Sequence, residues 1–468
     1  MMLPADFMVQ MQRLLGEDEC TRLCDALHTE SPVSVRLNVS KTQAVGTLPI
    51  DRQVPWCSQG YYLSERPSFT FDPLFHAGMY YVQEASSMFL WHVLRQLTSD
   101  GQPVRLLDLC AAPGGKTTLA ADALPCGSLV VANEIVKSRA QILKENVSKW
   151  GRCDVVVSND ESAAFTRLGT FFDIVVCDAP CSGEGMFRKD AGAIEEWSRD
   201  NVQMCQMRQR DILANAWQCL RPGGWLVYST CTFNAEENEQ NVDWIANHLG
   251  GEPMAVSMDA EWGISGCLDA SLSIPCYRFM PHRTQGEGLF MAIIRKTDDA
   301  DMRTINVQKP SRRRSKPALS SRLLNEAAAW VDTEHAELMT DEAGSMVSAF
   351  SKRHIDVLPL LKAHLHIIRE GVEVAELKGN AHKGFSLQPA HSLAVSTCYR
   401  RGAFPEYEVD ATQAIAYLRT ESMVLPPDVP RGYVLLTFCG APLGFVKNLG
   451  NRANNLYPSA WRILSQGR

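Results

Sequence analysis

Between residues 104 and 295, short apolar runs alternate with longer amphipathic stretches. The runs at 104–109, 128–133, 154–158, 172–177 and 224–229 are rich in Val, Ile and Leu. They are too short for helices and continuous enough to be buried on both faces. Helical stretches separate them, near 115–123, 136–149, 201–220 and 235–248, and a late run at 288–295 completes the set. Strands alternating with helices of this length predict a parallel sheet with helices on both sides, a doubly wound Rossmann-like α/β core.

The flanking pattern differs. Residues 7–27 predict a helical opening, 34–39 a short strand carrying Arg36 and Asn38, 61–81 an aromatic-rich segment and 84–96 a helix. Residues 297–320 break the α/β pattern. They hold Asp298, Asp299 and Asp301, then a basic run around Arg312–Arg314 between prolines, and they predict an exposed linker. Beyond it, 322–369 reads as largely helical and 372–387 as strand–turn–strand. From about 392 a small β-rich module follows, with strands at 433–439 and 443–447. The expected division is 1–100, 101–297, 298–320, 321–391 and 392–468.

Composition narrows the class. Hydrophobic residues make up 45% and charged residues 21%, which excludes a disordered or fibrous chain. The apolar runs, such as 289–294, fall far short of the roughly 20 residues of a membrane helix. No basic stretch followed by an apolar one opens the chain, so a cytoplasmic protein is expected. The fifteen cysteines are scattered, and the close pairs Cys20/Cys24 and Cys177/Cys181 have three intervening residues rather than the two of a zinc or redox hairpin. Reduced thiols and no metal are therefore expected. With a net charge of −7, nucleic-acid binding must rest on local basic clusters.

Three motifs carry the chemistry. Asp108-Leu109 ends the first strand, and Cys110, Ala111, Ala112, Pro113, Gly114, Gly115 and Lys116 make a turn that opens a helix. Glycine lets backbone approach a ligand, and the turn lies where doubly wound folds bind nucleotides. It is not a phosphate loop, which requires glycine where Cys110 stands. Glu134 follows the second strand, at the usual place of a ribose acceptor, and Asp160 the third, within reach of an adenine amine. The second motif, Asp178-Ala179-Pro180-Cys181-Ser182-Gly183-Glu184-Gly185, follows the fourth strand. The third, Tyr228-Ser229-Thr230-Cys231-Thr232, follows the fifth. A lone cysteine is usually a small buried hydrophobe. Two at adjacent strand ends, one in a loop of prolines and glycines, point to presented thiols.

These signatures resemble the Nop/Sun (Fmu) family of S-adenosylmethionine-dependent RNA cytosine-5 methyltransferases, within it the bacterial 16S rRNA methyltransferase F branch. Further matches are Gln83-Glu84-Ala85-Ser86-Ser87-Met88, Glu236-Glu237-Asn238-Glu239 and Arg278…Pro281-His282…Gly286-Glu287-Gly288, over about residues 30–296 in family order. The last module resembles a PUA-like RNA-binding fold, through Gly444-Phe445-Val446-Lys447 and the Asn/Tyr-Pro tail.

The resemblance implies S-adenosylmethionine as cofactor, held by residues 110–116, Glu134, Asp160 and Asp178. It implies RNA as partner, ribosomal RNA or the small ribosomal subunit, and a monomer is expected. It assigns Cys231 as nucleophile toward cytosine carbon 6 and Cys181 to product release, roles that the residues alone leave exchangeable. Asp178 would hold the cytosine ring. Candidate RNA contacts are Arg36, Arg188 and Lys189, with Arg312–Arg314 and Tyr399-Arg400-Arg401 as further basic positions. Rival readings are a tRNA cytosine-5 methyltransferase, a DNA cytosine-5 methyltransferase and a catalytically silent RNA-binding assembly factor.

Overall fold

The five apolar runs become β1 (Arg105–Asp108), β2 (Leu129–Asn133), β3 (Val155–Ser158), β4 (Phe172–Asp178) and β5 (Leu220–Thr230) of one sheet in a computed structural model. The structure describes residues 3–41, 48–297, 320–341, 343–380 and 384–465. The expected linker and its Arg312–Arg314 run lie outside the described residues.

Parallel pairing joins β3, β2, β1, β4 and β5 in that spatial order. Three further strands are β6 (Gly251–Met254), β7 (Tyr277–Phe279) and β8 (Leu289–Lys296). The late run, β8, lies antiparallel beside β5, with β6 and β7 on β8, so the sheet is mixed rather than wholly parallel. Successive side chains point to opposite faces, which builds two cores. Leu106, Val130, Val157, Val176 and Val227 pack on one face, and Leu107, Val131, Val156, Val175 and Leu226 on the other. Helices Gly115–Ala123 and Lys137–Trp150 follow β1 and β2, and Arg199–Cys219 precedes β5.

The N-terminal module has two helices, Ala5–Leu15 and Glu17–Leu27, and a four-stranded sheet built around Val33–Leu37. After the undescribed linker, the expectation of a largely helical 322–369 fails. The segment holds strands Ala336–Thr340 and Met346–Ser351 in an antiparallel sheet with Val372–Asn380 and Gly384–Pro389. It also holds β9 (Ile367–Glu370), which pairs antiparallel with β3 and extends the central sheet. Arg369 anchors that edge, its guanidinium donating to Ser148 Oγ, Val155 O and Arg152 O. Pairing with distant strands overrode the local helical pattern. The last module is a sheet of Glu406–Glu408, Gly432–Phe438, Ala441–Asn448 and Ala453–Asn455.

Candidate active site

In a parallel sheet, all loops after the strands' carboxyl ends open on one edge. Asp178 ends β4 opposite Ser229 of β5, so the chains leading to Cys181 and Cys231 leave side by side. Their sulfurs stand 3.2 Å apart. Gly185 N donates to Cys231 O at 2.9 Å, and a Cβ at Gly185 would meet that oxygen at 2.8 Å and Gly288 O at 2.9 Å. Only glycine fits where these backbones touch.

Lys116 Nζ donates to Asp178 Oδ2 at 2.8 Å, and Ser229 Oγ donates to Asp178 Oδ1 at 2.7 Å. The ammonium is mostly covered, and Asp178, Asp108 and Cys231 together push its pKa up against the opposing effect of burial. Cys181 is pushed well above the ordinary thiol range, first by its contact with Cys231 and then by burial.

Four carboxylates rim the opening at successive strand ends. Asp108 ends β1 with Thr117 Oγ1 donating to its Oδ2 at 2.6 Å, while its buried Oδ1 has no protein partner. Burial pushes its pKa up to about 7. Glu134, after β2, is buried and accepts from Val136 N at 2.9 Å, with Arg139 at 3.5 Å. Asp160, after β3, accepts from His366 N at 2.8 Å, and burial raises it. Asp178 follows β4.

Between them runs the 110–116 turn, with a cis peptide at Ala112–Pro113 and Gly114 at φ 113°. A set of acceptors around a glycine turn suits a ligand that offers donors, as the ribose diol, adenine amine and α-ammonium of S-adenosylmethionine do. Sequence reasoning missed Asp108 as a member of this set. Its position at the strand end was visible, but its orphan oxygen was not.

The candidate RNA contacts divide. Arg36 is wholly buried, donating to Gln83 Oε1 at 2.8 Å and Thr118 Oγ1 at 2.6 Å, paired with Asp122 and lying 4.4 Å over the Trp150 ring. It is a core residue, because each of its three side-chain nitrogens is already bonded inside the protein. Arg188 is likewise enclosed, pairing with Glu287 at 2.9 Å and donating to Gly286 O at 2.7 Å. Lys189 also reaches Glu287, at 3.3 Å, but keeps about a third of its side chain exposed. Arg401 pairs with exposed Glu406 at 3.0 Å. Glu239, Cys267 and Cys276 converge with ligand atoms within 4.8 Å, yet Arg278 grips both oxygens of Glu239. That group is an ion pair beside two thiols.

Family models match three segments of the chain: the 16S rRNA methyltransferase RsmB/F at 97–295, the N-terminal domain of 16S rRNA methyltransferase RsmF at 3–85, and the methyltransferase RsmF PUA domain at 404–463. Ribosomal RNA small subunit methyltransferase F of Klebsiella pneumoniae is 33% identical over 416 residues, covering 86% of this chain and 83% of its own. The chain belongs to this family. The Erwinia tasmaniensis relative of the same name is 30% identical over 97% of this chain and 96% of its own. A solved methyltransferase homologue from Pyrococcus horikoshii is similar to 63% of the chain and covered in full, with 28% identity and a TM-score of 0.52. Family membership and the Rossmann-like core make this protein an S-adenosylmethionine-dependent methyltransferase.

Proposed function

We propose that the protein methylates carbon 5 of a cytosine in small-subunit ribosomal RNA, with Cys231 as nucleophile and Cys181 as the group that releases the product. The relatives' names as ribosomal RNA small subunit methyltransferases support the substrate, and the PUA-domain match supports RNA as the partner. The observation that carries the chemistry is the pair of sulfurs 3.2 Å apart, at the strand ends beside the Lys116–Asp178 ion pair. The reading takes the protein as a cytoplasmic monomer. Among the described residues, no helix is long and apolar enough to cross a membrane.

Carbon 5 of cytosine is a weak nucleophile while the ring is aromatic, and a covalent bond at carbon 6 removes that obstacle. The Cys231 thiolate forms the S–C6 bond, and the displaced electron pair moves toward nitrogen 3. The Lys116 ammonium, held by Asp178, would offset that charge, and Asp178 would hold the ring by its nitrogen edge. When bound, S-adenosylmethionine supplies a methyl group on a positively charged sulfur. Carbon 5 takes the methyl, Cys181 removes the carbon-5 proton, and the S–C6 bond breaks to restore the ring.

The order of events follows from the pair. Cys181 is held protonated chiefly by Cys231. Once Cys231 is bonded to carbon, that restraint is gone: Cys181 releases its proton to solvent, and its thiolate then accepts the carbon-5 proton as the S–C6 electron pair returns to Cys231. The target base must leave its stack to reach both sulfurs.

Residues 110–116, Glu134, Asp160 and Asp178 would hold the cofactor. Removing one charged acceptor from a ligand hydroxyl costs about 1.5–3 kcal/mol. Glu134→Ala is therefore expected to weaken cofactor binding roughly 10- to 100-fold in calorimetry. An unchanged Kd would remove Glu134 from the site. The reaction itself is tested by incubating labelled cofactor with total RNA from a strain lacking the protein and mapping 5-methylcytosine. Methyl label in the RNA at any atom other than cytosine carbon 5 would overturn the assignment.

A further inference from the structure

The two cysteine loops are tied to each other by two buried carboxylates, Glu184 and Glu237, in a crossed arrangement. Glu184 belongs to the loop after Cys181. Its Oε2 accepts from Phe233 N and Asn234 N, both at 2.8 Å, on the loop after Cys231. Its Oε1 accepts from Trp197 Nε1 at 3.0 Å, Asn234 Nδ2 at 3.1 Å and Gln10 Nε2 at 2.8 Å. Glu237 belongs to the loop after Cys231. Its Oε2 accepts from Ser182 N at 3.0 Å, next to Cys181, and from Gln209 Nε2 at 2.6 Å. Its Oε1 accepts from Asn234 Nδ2 at 2.8 Å. Ser182 Oγ and Thr232 Oγ1 bond directly across the same gap at 2.9 Å.

Both glutamates are wholly buried. Taking a carboxylate out of water costs several kcal/mol unless its lone pairs are filled. Here every partner is a donor: each carboxylate takes backbone N–H groups from the opposite loop, and side chains from that loop, its own loop or elements behind complete the set. A carboxylate accepts along several directions from one rigid plane, so each one fixes two loop segments in a single geometry.

We propose that Glu184 and Glu237 are reciprocal positioning residues, each leaving one cysteine loop to grip the other, which together set the separation of the Cys181 and Cys231 sulfurs. The inference rests on the cysteine chemistry proposed above. Gln10 extends the device outward, since it lies on the N-terminal helix Ala5–Leu15 and also accepts from Arg199. The N-terminal module therefore touches the geometry of the reacting pair.

The test uses the full-length chain, RNA from a strain lacking the protein, and RNA containing 5-fluorocytidine as trap. A displacement of about 1 Å at a reacting group can cost roughly 100-fold in rate. E184A and E237A are therefore expected to lower kcat, and the rate of trapped-adduct formation, by about that factor. The RNA KM and cofactor Kd should stay within about threefold, because neither carboxylate faces a ligand. E237Q keeps the reach and an acceptor for Ser182 N but turns its NH2 toward the Asn234 donor, so it should recover part of the rate. E237D keeps the charge but falls short and should not. If the alanine variants fail to fold, Gln10→Ala removes one donor to Glu184, along with the acceptor for Arg199, and should cost about three- to tenfold in kcat. Wild-type kcat in a folded E237A, or a loss confined to KM or Kd, overturns the clamp while a dead Cys231→Ala leaves the cysteine chemistry standing. Turnover by Cys231→Ala removes the chemistry itself.

Discussion

Cys231→Ala is expected to lower methyl transfer by at least about 10⁴-fold, because losing the proposed nucleophile removes the reaction path rather than one contact. Cofactor affinity should be nearly unchanged, since the cradle at 110–116 and the strand-end carboxylates stay in place. Cys181→Ala should behave differently. The S–C6 bond still forms, but its breakdown stalls, so a protein–RNA adduct that survives denaturing electrophoresis accumulates. The 3.2 Å sulfur separation makes this contrast sharp, because two groups so near each other can act on one ring in sequence. Adduct in neither variant, together with normal turnover in the first, would sink the covalent reading. A catalytically silent assembly factor would show no methyl transfer even with both sulfurs intact.

Arg36→Ala is expected to destabilise the protein by about 3–5 kcal/mol, the usual cost of leaving a buried charge without its partner. Arg36 and Asp122 are both almost fully enclosed. Truncation strands Asp122, one of whose oxygens already lacks a partner, and empties the space over Trp150. Replacing both members with apolar residues of similar volume should recover much of the loss. Urea unfolding measures the effect, and RNA affinity of the folded variant should match that of the parent. Weaker RNA binding with unchanged unfolding would return Arg36 to the interface.

Arg36 and Arg188 show where the residues spoke and where they did not. Arg36 on a short strand looked like a basic contact, but its exposure depended on Gln83, Thr118 and Asp122 folding around it. Arg188 was misplaced for the same reason, through Glu287, ninety-nine residues away. Charge is visible in a sequence, whereas solvent access is not.

The strand-end motifs were legible because a parallel α/β core forces them to be. Apolar runs of strand length must pair, helices must cover both faces, and the loops at the carboxyl edge must then share one opening. The placement of Asp178, Cys181, Cys231, Glu134 and the 110–116 turn along one edge was therefore readable from order and spacing, while their proposed roles came from the family resemblance. Three things required the tertiary structure. His366 caps Asp160 from 206 residues away. The segment read as helical instead supplies strand β9, because an open sheet edge outweighs a local pattern. The crossed grip of Glu184 and Glu237 arises only when two loops fifty residues apart are brought into contact, since hydrogen-bond direction is a property of packed backbones that no linear motif encodes.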